Sequence, residues 1–291
     1  MARNEALRTA LLAGDHQEAW GIYQALCEAG QADADTHHMG GRAAVAKGDL
    51  YNARRAMDAA LTAGASGRTL GQVRLILGEV LRRIGDLSEA AETLERFLAG
   101  MWEYPELGPL WQGSGLYNLG LTYRQLGRLD EARAAYIAAA EECRREGLRD
   151  LLGWCLRNLA WVLCLQGDTD GAREALGEAE GFCPEEDRWH QVLGWAHVEA
   201  VEGWQHSTTA MCKRIIEASS ASPDVQAHAY WLLGREALRH GDHRIAMMMA
   251  EAALEEAKSF PGDNRARNDA ADLWRNAKSQ LHEVESGAAG A

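Results

Sequence analysis

The chain has 291 residues, 47% hydrophobic and 25% charged, the composition of a folded protein of one or two domains. A formal net charge of -13 without any Lys/Arg block argues against the basic face that duplex DNA requires, so no direct nucleic-acid partner is expected, although net charge leaves room for a local basic groove. No apolar run approaches the ~18–20 residues of a membrane span, and six scattered cysteines without a C-x-x-C pair fit apolar positions in a reducing compartment, so a cytoplasmic protein is expected.

Abundant alanine and only 5 prolines favour helix, and a recurring Gly-centred turn shows where the helices reverse. In chain order, a first unit near 4–32 turns at Gly14-Asp15 with Ala19 five residues after the glycine. The second, near 35–64, turns at Gly48-Asp49 with Ala53, and the third, near 70–100, at Gly85-Asp86 with Ala90. An insertion containing Pro105 and Pro109 follows, which Trp102, Tyr104 and Trp111 are expected to pack down. The fourth unit, near 112–146, turns at Gly127-Arg128 with Ala132, and the fifth, near 150–182, at Gly167-Asp168 with Ala172. The sixth, near 187–220, is degenerate: Gly203 marks its turn, and Thr208 stands where alanine is expected. The seventh, near 224–258, turns at Gly241-Asp242 with Ala246. Residues 264–286 then read as one polar helix suited to a terminal cap, and 287–291 as a disordered tail.

The chemistry behind the pattern is local. Glycine adopts a left-handed backbone at little cost, so it reverses the chain between two amphipathic helices. The small residue after the turn lets those helices approach, and an acidic residue near the start of the second favours its dipole. One such pair cannot bury its apolar face alone, so neighbours must stack.

The run Leu119-Gly120, Tyr123, Gly127, Leu129, Ala132, Tyr136, Ala139 resembles the tetratricopeptide repeat at nearly every signature position. Leu77-Gly78, Leu81, Gly85, Leu87, Ala90, Leu94 repeats it with substitutions, and Leu159-Ala160, Leu163, Gly167, Ala172, Leu176 does so more loosely. The resemblance covers about residues 4–258. It implies an all-α, right-handed superhelical solenoid of about seven helix–turn–helix repeats plus a C-terminal capping helix. It also implies that the first helix of each unit lines a concave groove and that the chain is a non-catalytic scaffold for a protein or extended peptide.

Counted in that register, the groove residues include Arg82 in the third unit and Tyr117, Asn118 and Arg124 in the fourth. The fifth unit offers Trp154, Arg157, Asn158 and Trp161. The sixth offers His190 and His197, the seventh His228, Trp231 and Arg235, and the earlier units His38, Arg42 and Gln72. Asn118 and Asn158 occupy the same repeat position, and an asparagine offers both a donor and an acceptor to an extended peptide backbone. Arginines beside tryptophans suit a partner with acidic groups or a free carboxylate and an apolar anchor.

Neither the histidine spacings nor any motif indicates a metal site, cofactor or active site: H-E-x-x-H, P-loop, G-x-S-x-G and dinucleotide fingerprints are absent. Two further readings stand beside the scaffold. More weakly, the solenoid resembles the peptide-sensing domains of Rap- and PlcR-type bacterial regulators, which implies a regulatory module acting through a separate effector. A self-assembling homo-oligomer is the third, with Met247-Met248-Met249 as an adaptable surface or as a strip buried against the final helix.

Overall fold

The computed structural model describes the backbone of residues 2–259 and 265–289. Its contacts divide the chain into two units, Met1–Leu148 and Arg149–Ala291. The fold is an all-α solenoid of helix–turn–helix repeats, with no strand among the described residues.

The first unit holds four helix pairs: α1 (Ala2–Leu12) with α2 (His16–Glu28), α3 (Ala34–Ala46) with α4 (Leu50–Thr62), α5 (Gly67–Ile84) with α6 (Leu87–Ala99), and α7 (Pro109–Gln125) with α8 (Leu129–Glu146). The second holds three: α9 (Arg149–Gln166) with α10 (Thr169–Glu180), α11 (Arg188–Glu202) with α12 (Gln205–Glu217), and α13 (Pro223–Arg239) with α14 (His243–Glu256). A last helix, α15 (Arg265–Ala289), packs on both α13 and α14. It runs over 287–289 of the expected tail, whereas Pro261-Gly262 and residues 290–291 lie outside the described residues.

Each pair reverses at its glycine. Gly14, Gly48, Gly85, Gly127, Gly167, Gly203 and Gly241 all have φ between 74° and 106°, where a side chain would be strained. In five of the seven pairs the residue that follows is an aspartate, and it is the N-cap of the second helix and not a member of its first turn; Arg128 and Trp204 take that place in the fourth and sixth. Asp15, Asp49 and Asp168 each accept a hydrogen bond from the backbone N–H three residues on, at 2.9, 3.2 and 3.0 Å.

Close helix approach has two sources. On the second helices, Ala19, Ala53, Ala90, Ala132, Ala172 and Ala246 are fully buried. On the first helices, a glycine faces a large side chain sixteen residues on. A Cβ placed on Gly78 would lie 2.6 Å from Leu94, and one on Gly120 2.7 Å from the Tyr136 ring. Gly41 faces the end of Met57 in the same way, at 2.5 Å from its Cε. In the fifth pair Ala160 takes the small position against Leu176, both within one buried cluster.

Two expectations need correction. Trp102 does not pack the insertion down: it is 78% exposed. Tyr104, expected to do so with it, does: it is fully buried, its ring 5.8 Å from Phe97 and its hydroxyl donating to the Phe97 carbonyl at 2.8 Å. The methionine run is not a buried strip, because Met248 is exposed while its two neighbours are only half-buried.

Two stability measurements test this packing. Gly120→Ala gains about 1 kcal/mol of helix propensity but pushes into the Tyr136 ring, where overpacking costs about 1–3 kcal/mol. A lowered urea midpoint is therefore expected, while Gly41→Ala, opposed by a flexible methionine, stays within about 0.5 kcal/mol of the parent. Thr208 is fully buried, and its Oγ1 has no hydrogen-bond partner among the described residues. Thr208→Val keeps the shape and removes that hydroxyl, so the midpoint should rise by the equivalent of about 1 kcal/mol.

Candidate functional site

Within the second unit, α11 packs against both α9 and α13, so the three first helices lie side by side. On α9, residues 154, 157, 158 and 161 follow the i, i+3, i+4, i+7 spacing of one helix face. On α13, residues 228, 231 and 235 do the same. These faces meet in an aromatic cluster. The Trp161 ring stacks on His197 with centroids 4.8 Å apart, meets His228 edge-on at 5.2 Å, and lies 6.4 Å from Trp231. His197 and Trp231 are 6.0 Å apart, and the Arg235 guanidinium covers Trp231 at 4.7 Å. His197 and His228 are buried, whereas Trp154, Trp161, Trp231 and Arg235 are half-buried. A half-exposed indole backed by other rings offers flat apolar area without losing its own support.

An ionic chain borders the cluster. Arg157 is buried; its Nη2 donates to Asp187 Oδ2 at 3.0 Å, and its guanidinium lies 4.5 Å from the Trp154 ring centre. His190 stands edge-on to Trp154 at 5.0 Å and bonds Asp224 Oδ2 through Nε2 at 3.3 Å. Burial alone would raise the Asp224 pKa, but hydrogen bonds from His190 and Ser222 and the nearby histidine charges outweigh it and hold the carboxyl below the usual range. The Asp224 carbonyl accepts from His228 at 2.9 Å, which places the proton of that ring on Nδ1. Burial lowers the Arg235 pKa, helped by the neighbouring Arg239 charge.

The two asparagines behave identically. Asn118 Nδ2 donates to the Ser114 carbonyl and Asn158 Nδ2 to the Trp154 carbonyl, each at 3.0 Å and four residues back on its own helix. One amide donor is thus used inside the helix, which fixes the orientation of the group. Asn118 belongs to the first unit, where α5 and α7 pack together. There Arg82 and Arg124 are buried, and half-buried Tyr117 lies 6.1 Å from the Tyr136 ring.

The residues singled out by sequence therefore fall into two sets. Trp154, Arg157, Asn158, Trp161, His197, Trp231 and Arg235 share the first-helix face of the second unit; Arg82, Tyr117, Asn118 and Arg124 lie on two adjoining first helices of the first. Sequence reasoning overlooked Asp187 and Asp224, the carboxylates that orient Arg157 and His190. Both sit at the start of a first helix, three residues after Pro184 and one after Pro223, and an acid at that position was the available signal. Among the described residues no three His, Cys, Asp or Glu side chains come together as a metal site, and no helix is long and apolar enough to cross a membrane. Cys143, Cys155, Cys164 and Cys212 are buried free thiols, Cys183 is partly buried and Cys27 exposed.

Comparison with known proteins agrees with the geometry. Tetratricopeptide repeat models match residues 38–105 and 112–185. The fold is similar to that of a tetratricopeptide repeat protein from Parabacteroides merdae ATCC 43184, with a TM-score of 0.66 and 16% identity over 95% of this chain and 98% of that one. It is also similar to the apo form of RapI, with a TM-score of 0.56 and 12% identity over 95% and 96% of the two chains. A Rap protein complexed with Competence and Sporulation Factor gives a TM-score of 0.50 and 15% identity over 94% of this chain and 74% of that one. No curated protein matches the chain in sequence. With the turn glycines, the small residues opposite large ones and the matched segments all in one register, residues 38–105 and 112–185 are tetratricopeptide repeats, and the fold of the chain is similar to that of tetratricopeptide repeat proteins.

Proposed function

We propose that the chain is a non-catalytic scaffold that binds a protein or an extended peptide on the first-helix faces of its repeats, with the α9–α11–α13 face as its principal contact surface. Tetratricopeptide repeats are in general protein-interaction scaffolds without catalytic activity. The observation that carries this reading is the cluster of Trp161, His197, His228 and Trp231 beneath the Arg235 guanidinium. Half-exposed aromatic side chains next to an arginine are the usual composition of a binding hot spot. Such a face favours a partner with an apolar side chain flanked by an acidic group or a free carboxylate. Asn158, oriented by its bond to the Trp154 carbonyl, supplies a contact to peptide backbone, and Asn118 supplies the equivalent one in the first unit.

Likeness of fold to a Rap protein complexed with Competence and Sporulation Factor favours a second, narrower form of this reading: a sensing module whose bound ligand alters its affinity for a separate effector. A ligand-dependent change in effector binding separates it from a plain scaffold.

The two arginines of the face have different roles, and that difference can be measured. Peptides selected from a displayed library on the full chain should lose about tenfold in affinity, or about 1.4 kcal/mol, with Arg235→Gln and with Asn158→Ala, read by calorimetry. Unchanged affinity in both variants would exclude this face. Asp187→Ala instead strands the buried Arg157 charge and should cost about 3–5 kcal/mol of stability in urea unfolding.

A further inference from the structure

The first unit holds a pocket of about 460 Å³ on the faces of α1, α3 and α5, where α3 packs against both neighbours. Three arginines reach it, one from each helix: Arg8, Arg42 and Arg68. All three are exposed. Among the described residues none of them has a hydrogen bond or an ion pair, in contrast to Arg54, which holds Asp86 and Glu89, or Arg173, which holds Glu199 and Glu202. Asp35 is the single carboxylate of the lining, and its Oδ1 already accepts from Thr69 Oγ1 at 2.5 Å. Three guanidinium groups against one carboxylate leave a net double positive charge in a chain whose net charge is -13.

His38 also lines the pocket. It is only 6% exposed, and its Nε2 is buried without a hydrogen-bond partner. Burial, assisted by the Arg42 charge, lowers its pKa to about 4, so the ring is neutral at physiological pH and has one nitrogen to donate and one to accept. A buried polar atom left unpaired costs stability that a ligand contact would recover. Leu11, Leu12 and Met39 complete one side of the lining with apolar surface.

These features define the ligand by its chemistry. A double positive charge presented by guanidinium forks matches a dianionic phosphate with three acceptor oxygens better than a single carboxylate. The volume is that of a small-molecule site, and the acidic chain around it repels an extended polyanion. The leucine and methionine side asks for an apolar body on the phosphate. We propose that this pocket, on the first helices of repeats other than those that form the α9–α11–α13 contact surface, is a binding site for a phosphate monoester with a small apolar body.

Calorimetric titration of the full chain at neutral pH and low salt with phenyl phosphate tests the site, with benzoate as the monoanionic counterpart. Saturable binding of phenyl phosphate is expected, at least tenfold tighter than benzoate. It should weaken at least tenfold in Arg42→Ala and vanish when Arg8, Arg42 and Arg68 are all replaced by alanine; circular dichroism confirms that these exposed positions leave the fold intact. The His38 ring resonances should move during the titration. Absence of saturable binding, equal binding by the triple variant, or benzoate binding as tightly as phenyl phosphate would each overturn the proposal. A phosphoserine peptide distinguishes the source: tighter binding than phenyl phosphate places the monoester on a partner protein, weaker binding places it on a free small molecule, and both results retain the phosphate site.

Discussion

Where the two helices cross in the second to fifth repeats, a glycine or alanine of the first meets a large side chain of the second sixteen residues on. Gly78 against Leu94 and Gly120 against Tyr136 show the contact, 2.6 and 2.7 Å from a virtual Cβ. Adding even one methyl to such a packed core forces a shift of backbone or rotamer. The turn glycine fixes the chain reversal, the small–large contact fixes the separation, and the buried alanine after the turn lets the second helix close against the first. In the second to fifth pairs this spacing sets how closely the helices approach, and any surface that the first helices share depends on it.

That division of labour accounts for where chemistry can appear. The inward positions of the second helices carry alanines and large packing side chains such as Leu94, Phe97 and Leu176, all fully buried. The first helices carry tryptophan, histidine, arginine and asparagine at i, i+3, i+4 and i+7, and stacking places those side chains next to residues from the neighbouring repeat. Several of the polar groups there are answered within the chain. Arg157 is answered by Asp187, His190 by Asp224 and each asparagine by a carbonyl one turn back. Arg235 differs: it remains half-exposed over Trp231 and lies on the accessible side of the cluster. In the first unit the corresponding exception is the trio Arg8, Arg42 and Arg68, whose charges meet only one carboxylate.

Much of the fold was legible because its determinants are local. A left-handed glycine, a capping aspartate and a small residue at fixed offsets are written within a few positions, so all seven turns could be placed, including the one at Gly203 where Thr208 breaks the pattern. The first-helix positions were legible once the register was known, since helical periodicity alone puts 154, 158 and 161 on one side. What escaped depends on neighbours in space. Nothing near Arg157 in sequence shows that it is buried against Asp187, thirty residues away. Nothing near Trp102 shows that Tyr104 takes the inner position and leaves the indole in solvent. The ordering of Asn118 and Asn158 by their own helices was equally hidden, because any asparagine can bond a carbonyl four residues back or point outward.

The indole N–H signals of the 10 tryptophans give the most direct test of the first-helix face as the contact surface. When a library-selected peptide is added to the labelled chain, the account predicts shifts at Trp154, Trp161 and Trp231, with Trp102 and Trp204 unmoved although these two are the more exposed. Shifts confined to Trp102 and Trp204, with the α9–α11–α13 face silent, would contradict it.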